Sequence, residues 1–169
     1  MRNFLIILIL ISINIDSLAQ DANLNSFQGA WKWSEGTEEL TIELRLGTFE
    51  IPAIFGGGTK ECLIGGYKYT KNGVTIANNI NELQLTKRSI DYPIRVLWNL
   101  TVTVRDPELR NPKGEFKLLG GSSKIVPIGN GSTIRWVLTD DEEHIYSSED
   151  EIFPEGTSLP TNIILTKVE

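Results

Sequence analysis

The sequence predicts a single all-β domain, most simply an antiparallel β-barrel, with a β-sandwich as the alternative. Apolar and polar residues alternate with a period of two through much of the chain after residue 29, which is typical of half-buried strands. Asn-Gly pairs separate several of these segments, as expected of tight hairpin turns. A barrel is favoured over a sandwich because closure removes exposed strand edges.

The first 19 residues predict an export signal. Arg2 and Asn3 form a short polar start, residues 4–11 are apolar, and Ser17 and Ala19 place small residues at −3 and −1 of a cleavage site. The apolar run is shorter than the roughly 18 residues that a membrane span needs. We therefore expect one barrel domain over residues 20–169, periplasmic or extracellular, with no membrane span once the signal is removed.

Alternation and turn residues together predict ten strands. Leu40, Ile42 and Leu44 alternate with polar neighbours in the second candidate strand, and residues 95–105 form the longest alternating segment. The β-branched residues near the end of the chain predict a closing strand. The candidates cover residues 29–33, 38–47, 61–71, 74–78, 82–86, 95–105, 115–119, 123–128, 132–139 and 161–168.

Glycines predict the connections between these strands. Asn72-Gly73 and Asn130-Gly131 predict two-residue type I′ turns, because both residues of such a turn need a positive φ. Gly65-Gly66 lies inside an apolar segment, so it predicts a bulge or a sharp bend rather than a turn.

Charge and cysteine content exclude several classes of protein. The net charge of −6 argues against nucleic acid or an anionic membrane surface as partner, since both require a basic footprint. Cys62 is the only cysteine, so the chain has no internal disulfide. Stability must therefore come from packing and backbone pairing.

One short motif resembles a known family. Gly29-Ala30-Trp31, preceded by a predicted helical turn near residues 23–28, resembles the G-x-W signature of the lipocalins and the wider calycin group. The resemblance implies that Trp31 lies at the closed end of a barrel, with the basic side chain of Lys167 or Arg135 across its indole. Together with the leader and the closing strand, it is similar to small secreted bacterial proteins of unknown function.

Residues that could perform chemistry are sparse. His144 is the only histidine and lies in an acidic run, whose carboxylates would keep it charged rather than available as a base. We expect Cys62 to be buried and unreactive. One histidine and one cysteine do not make a zinc site, and we expect no metal and no cofactor. Calcium bound by the acidic residues 140–151 stays open as an alternative to a solvated loop.

The glycine-rich segment of residues 55–60 lacks the spacing and the following helix of a phosphate-binding loop. We expect a hairpin loop there, or a lid at the barrel mouth.

Four aromatic residues are the candidate ligand-binding set. Tyr67, Tyr69, Trp98 and Trp136 are predicted to face inward, where they either line a cavity or fill the core. The first functional hypothesis is a non-enzymatic binder of a small hydrophobic ligand. The alternatives are a protein-interaction module that uses residues 140–157, and a small hydrolase whose carboxylate pair the sequence does not locate. The sequence leaves the oligomeric state open.

Overall fold

A computed structural model describes residues 23–84, 88–140 and 153–168. The predicted export signal, His144 and the acidic residues 141–151 lie outside these ranges. In the described part of the chain, no helix is both long enough and apolar enough to cross a membrane.

The regular structure of the described residues consists of β-strands and short 3₁₀ helices. The 3₁₀ helices span Leu24–Phe27, Ala53–Phe55, Ile80–Gln84 and Ser89–Asp91. The strands are β1 (Gly29–Glu35), β2 (Glu38–Glu50), β3 (Thr59–Lys71), β4 (Val74–Asn78), β5 (Ile94–Val96), β6 (Val102–Arg110), β7 (Phe116–Leu119), β8 (Lys124–Ile128), β9 (Thr133–Val137) and β10 (Ile163–Lys167). The predicted all-β class is confirmed.

The strands form one antiparallel sheet that curls until its ends meet. Its order is β7-β6-β5-β3-β2-β1-β10-β9-β8, and β4 pairs separately with β3. The residues just before β6 bridge to the start of β8 through Thr101 and Lys124. Two backbone bonds reinforce this contact, from the Val102 N–H to the Ser123 carbonyl (2.9 Å) and from the Ile125 N–H to the Leu100 carbonyl (3.1 Å). The sheet therefore closes on itself, as predicted for a barrel.

The core lies inside this curled sheet, because alternate side chains of each strand point inward. On β2, Leu40, Ile42 and Leu44 are almost completely buried, as their alternation predicts. The 3₁₀ helix Leu24–Phe27 packs Leu24 and Phe27 against the same core. The barrel interior is thus apolar, and one of its ends is covered by the segment that precedes β1.

The segment predicted as one strand over residues 95–105 is a hairpin. β5 ends at Val96, residues 97–100 turn, and the Leu97 N–H bonds to the Thr101 carbonyl at 2.9 Å. The Asn99 side chain accepts the Thr101 N–H at 3.1 Å, and Leu100 takes a φ of +63°. An Asx-type bond of this kind lets the chain reverse without a glycine, so alternation alone does not reveal the turn.

Two other local predictions are wrong. The described part of the strand predicted over residues 82–86 lies in the 3₁₀ helix Ile80–Gln84. The Asn130-Gly131 pair belongs to a four-residue connection between Ile128 and Thr133, in which Gly129 and Gly131 have positive φ angles (65° and 88°). Two glycines supply the left-handed backbone there, so a two-residue I′ turn does not form. At Asn72-Gly73, both φ angles are positive and β3 pairs with β4, as predicted.

Gly65 and Gly66 serve close packing, and the predicted bulge is absent from the pairing of β2 with β3 at these residues. The pairing of β3 with β2 runs through both residues without a register shift. A Cβ atom on Gly66 would lie 2.7 Å from the Asn79 carbonyl oxygen, and one on Gly65 would lie 2.6 Å from Leu44 Cδ2. The absence of side chains therefore lets neighbouring segments approach the strand.

Candidate functional site

Trp31 lies at the covered end of the barrel interior and is fully buried. Its indole N–H donates to the Phe27 carbonyl at 2.8 Å. The Lys167 ammonium lies 5.2 Å from the ring centroid and also donates to the Ser26 carbonyl at 3.1 Å. Arg135, the other basic residue considered for this role, is exposed on β9. Trp31, Lys167 and the preceding 3₁₀ helix thus close this end by packing, hydrogen bonds and a cation over an aromatic ring.

Gly29 supplies the backbone conformation that precedes Trp31. Its φ is +107°, a conformation that side chains disfavour, and a Cβ atom there would lie 3.4 Å from Lys167 Cε. The backbone conformation therefore explains the glycine of the motif, since 3.4 Å is an ordinary contact distance.

Tyr67 and Tyr69 are buried on the inner face of β3, and each hydroxyl has a partner. Tyr67 donates to the Arg105 carbonyl at 2.6 Å. The Arg105 N–H donates to the Pro93 carbonyl just before β5, but Pro93 has no N–H to donate in return, so Tyr67 supplies the donor for the Arg105 carbonyl. Burial raises the pKa of both tyrosines, which keeps their hydroxyls neutral.

Tyr69 connects the interior to a charged pair at the start of β2. Its hydroxyl donates to Glu38 at 2.7 Å, and Glu38 also pairs with Lys71 at 3.1 Å. The Tyr69 hydrogen bond and the Lys71 ammonium hold the pKa of Glu38 below its usual value. This carboxylate is therefore ionised and occupied by its neighbours.

Trp136 differs from the other buried aromatic residues because its polar atom has no partner. It is 1 % exposed and lies on β9, opposite Ile163 of β10 and Ile125 of β8. Its indole Nε1 is buried and finds no acceptor among the residues that the structure describes. The large majority of buried polar groups in proteins are hydrogen-bonded, so an orphaned donor in an apolar interior calls for an explanation.

Trp98 lies outside the barrel interior, contrary to the prediction that it faces inward. It belongs to the turn between β5 and β6, where its ring packs against Phe49 at a centroid distance of 6.1 Å. The Lys60 ammonium lies 4.4 Å from its ring centroid. The unforeseen hairpin removes Trp98 from the inward row, so the four predicted aromatic residues do not line one cavity.

Asp106 is a buried charged residue that the sequence analysis missed. It continues the inward row of Val102 and Val104 on β6 and is 0 % exposed. Its carboxylate accepts five hydrogen bonds, from the backbone N–H groups of Glu108, Leu109 and Ser158 and from the hydroxyls of Thr157 and Ser158. Burial acts to raise the pKa of Asp106, but these hydrogen bonds outweigh it and the pKa lies below its usual value.

Lys117 is a second buried charged residue, and it binds the chain just before Thr157 and Ser158. It is 3 % exposed and precedes Leu119 on the inner face of β7. Its ammonium pairs with Asp140 and donates to the carbonyls of Pro154 (2.7 Å) and Gly156 (3.0 Å). Asp140 also accepts the Gly156 N–H, so this member of the acidic run is already occupied.

Asp106 and Lys117 together hold the segment over residues 153–159, called here the covering segment. It meets the inner rows of β6 and β7 at the end of the barrel away from Trp31, and Leu159 is buried in the core. A charged residue in an inward position, such as Asp106 after Val104, is the sequence signal that could have located this end. The covering segment is thus attached by hydrogen bonds to two buried charged side chains and by the apolar packing of Leu159.

Cys62 is fully buried on the outer face of the sheet, beneath Leu83 and Tyr92. Burial raises the pKa of its thiol, which makes it a poor nucleophile.

The glycine-rich loop joins β2 to β3 at the end of the barrel near Trp31. It therefore cannot form the predicted lid over the opposite end. Gly56, Gly57 and Gly58 all have positive φ angles. Ile54 and Phe55 beside them are 84 % and 74 % exposed. The loop thus presents two apolar side chains to solvent.

Within residues 23–84, 88–140 and 153–168, no three histidine, cysteine or acidic side chains are grouped as a metal site. The two described carboxyl groups with displaced pKa values, Glu38 and Asp106, are both shifted downward. A general acid needs the opposite shift, so neither group fits the role of the acid in a carboxylate pair.

Comparison with curated proteins gives no match, and comparison with solved structures gives none either. A family model described as a family of unknown function, DUF6705, matches residues 1–168. This match spans the chain almost from end to end. The chain belongs to the DUF6705 family.

Proposed function

We propose that this protein is an exported, non-enzymatic binding protein that holds a small, largely apolar ligand inside the barrel, next to Trp136. The unpaired indole N–H of Trp136 carries the proposal. The polar groups of Trp31, Tyr67 and Tyr69 all have partners in the same interior. An unsatisfied buried donor costs about 1–3 kcal/mol, which a ligand with a hydrogen-bond acceptor would recover.

The covering segment supports a route for such a ligand. It lies at the end of the barrel away from Trp31, and its attachment depends on the polar contacts of Asp106 and Lys117. Displacing it would open the interior without unfolding the sheet. The ligand class is therefore a neutral, mainly apolar molecule with one carbonyl or ether oxygen directed at Trp136.

The test uses prodan, a neutral fluorescent naphthyl ketone, as the probe. Energy transfer from tryptophan to bound prodan measures its affinity for the full chain, for Trp136→Phe, and for Trp98→Phe as a control outside the barrel. Trp136→Phe should weaken binding about tenfold, the equivalent of one hydrogen bond, while Trp98→Phe leaves it unchanged. Equal affinity of Trp136→Phe and the wild type, or no binding of prodan at all, would count against the proposal.

A second candidate function, a protein-interaction module, is favoured by the exposed Ile54 and Phe55. Exposed apolar side chains at a loop tip are typical of contact sites. Cross-linking in the native cell envelope should give a defined partner band that Ile54→Ser combined with Phe55→Ser removes. An unchanged band would exclude this loop as the contact.

A further inference from the structure

A groove lies on the outer face of β2 and β3, on the opposite side of the sheet from the barrel interior. Its volume is about 700 Å³, and apolar side chains of Phe49, Pro52, Ile64 and Tyr92 contribute to its walls. Ile64 and Tyr92 are almost completely buried and belong to the outer cluster around Cys62. The groove is therefore a surface separate from the one proposed for the barrel ligand.

Gly47 opens the floor of this groove. The outward positions of β2 carry Arg45, Gly47 and Phe49 in succession. The position without a side chain therefore lies between a charged residue and an aromatic ring. A Cβ atom at position 47 would lie 3.0 Å from Ile64 Cγ2, so a side chain there would crowd the space over Ile64. Gly47 does not adopt the left-handed backbone that would itself require glycine. The glycine is explained by the close approach of the Ile64 side chain and not by the backbone.

Two arginines flank Ile64 in one row across the sheet. Arg45 of β2 and Arg95 of β5 are its two register partners, so their Cα atoms are about 10 Å apart. Within the described residues, neither guanidinium forms an ion pair. Arg45 has one long hydrogen bond, 3.3 Å to the Tyr92 hydroxyl, and its guanidinium lies 5.9 Å from that ring.

Arg95 is the less satisfied of the two arginines. In the described part of the chain, its one hydrogen bond is to the Thr103 hydroxyl, 3.4 Å long, and its buried Nε has no acceptor. Its guanidinium also lies 5.2 Å from the ring of Phe49, which lines the groove. A half-buried guanidinium with incomplete pairing favours an anionic partner.

The remaining charges that the structure describes at the rim supply no further free cation, because Arg88 is paired and Glu50 is negative. Arg88 lines the groove and pairs with Asp91 at 3.0 Å, while Glu50 adds a negative charge to the same lining. The unpaired positive charge is thus concentrated on the row that includes Ile64, in a protein whose net charge is −6.

We propose that this groove binds a single-chain amphiphile with a carboxylate head. The head lies between Arg45 and Arg95, and the chain runs over Gly47 toward Phe49 and Pro52. The volume is within the range of small-ligand sites. Arg45 and Arg95 are not part of the lining itself, but they adjoin it on either side of Ile64, which is a lining residue. The site is independent of the barrel interior, so either proposal can fail without the other.

The first test measures how three probes with a ten-carbon chain bind to the full-length protein, each below its micelle or solubility limit. Isothermal titration calorimetry should show binding of decanoate, at least about tenfold weaker binding of decanol, and still weaker binding of decyltrimethylammonium. In NMR spectra, decanoate should shift the amide signals of Gly47, Ile64 and Tyr92. Equal binding of decanoate and decanol, or shifts confined to the barrel interior, would overturn the proposal.

The second test uses variants that change charge or volume separately. Arg45→Gln with Arg95→Gln should weaken decanoate binding at least about tenfold and leave decanol binding unchanged. Gly47→Leu fills the groove, so it should weaken both probes. Arg135→Gln is the control, because it removes an exposed arginine on β9. This variant should bind decanoate as tightly as the wild type. Unchanged decanoate binding by the double arginine variant would refute the proposed position of the carboxylate head. If that variant does not fold, the comparison of the three probes with the wild-type protein tests the proposal instead.

Discussion

Asp106→Asn should destabilise the protein by removing the charge that holds the covering segment. One carboxylate oxygen accepts the Glu108 and Leu109 N–H groups and the Ser158 hydroxyl, and the other accepts the Ser158 N–H and the Thr157 hydroxyl. An asparagine places an NH₂ group at one of these positions. Whichever way the amide is oriented, at least one backbone N–H then faces a donor instead of an acceptor.

The size of the effect follows from that minimum loss. A hydrogen bond to a charged group contributes about 1.5–3 kcal/mol, and the hydroxyls can rotate to limit further cost. For a domain of this size, each 1 kcal/mol lowers Tm by about 2–4 °C, so we expect a decrease of about 3–12 °C. Urea denaturation at pH 7 measures the free energy of unfolding directly, and hydrogen exchange at the Ser158 amide reports whether the loss is local.

The pH dependence gives the prediction a definite sign. The pKa of Asp106 in the folded protein is lower than its ordinary unfolded value of about 3.9, so the ionised form favours folding. This contribution is complete at neutral pH and is lost as the pH falls through the folded pKa. The difference in unfolding free energy between the wild type and Asp106→Asn should therefore be largest at pH 7 and decrease toward pH 3.

Glu108→Gln is the matched control, because it neutralises an exposed carboxylate on the same strand. Its unfolding free energy should stay within about 0.5 kcal/mol of the wild type. An equally small change for Asp106→Asn at pH 7, or a difference that does not narrow in acid, would refute the role assigned to Asp106.

Three further substitutions test the closed end and the barrel wall by thermal unfolding. Trp31→Phe keeps an aromatic ring but leaves a buried carbonyl without its donor, so it should cost about 1–3 kcal/mol; an unchanged Tm would contradict the closed-end arrangement. Gly66→Ala forces a methyl group to within 2.7 Å of the Asn79 oxygen and should cost about 1–3 kcal/mol, whereas tolerance would mean that this contact is loose. Tyr67→Phe removes the donor to the Arg105 carbonyl and should cost about 1–3 kcal/mol, and full stability would show that water replaces it.

The strands of this barrel could be predicted from sequence where one face of the strand is buried and the other is exposed to solvent. Leu40, Ile42 and Leu44 alternate strictly, and β2 follows that alternation. The hairpin between β5 and β6 could not be predicted in this way, since its turn depends on a side-chain bond from Asn99 and an unusual φ at Leu100. Local bonds of this type leave no periodic signature.

The functional surfaces were less predictable than the strands. Trp136 is inward as expected, but its missing acceptor is a property of three-dimensional neighbours that no spacing encodes. The groove depends on Gly47, Ile64 and Arg95, which come from three different strands and meet only when the register is known. Asp106 is visible in the sequence as a charged residue that interrupts an apolar row. Its burial could therefore have been predicted.

The pairing of β1 with β10 sets the order in which the fold can be completed. Ser26 and Lys167 meet although they are 141 residues apart in sequence, so β1 is synthesised long before its neighbour on one side exists. Contacts of such long sequence separation slow folding, because the intervening chain must be ordered before they form. A nascent chain that lacks β10 has open edges on β1 and β9, and it depends on the arrival of its final strand to avoid pairing with other chains.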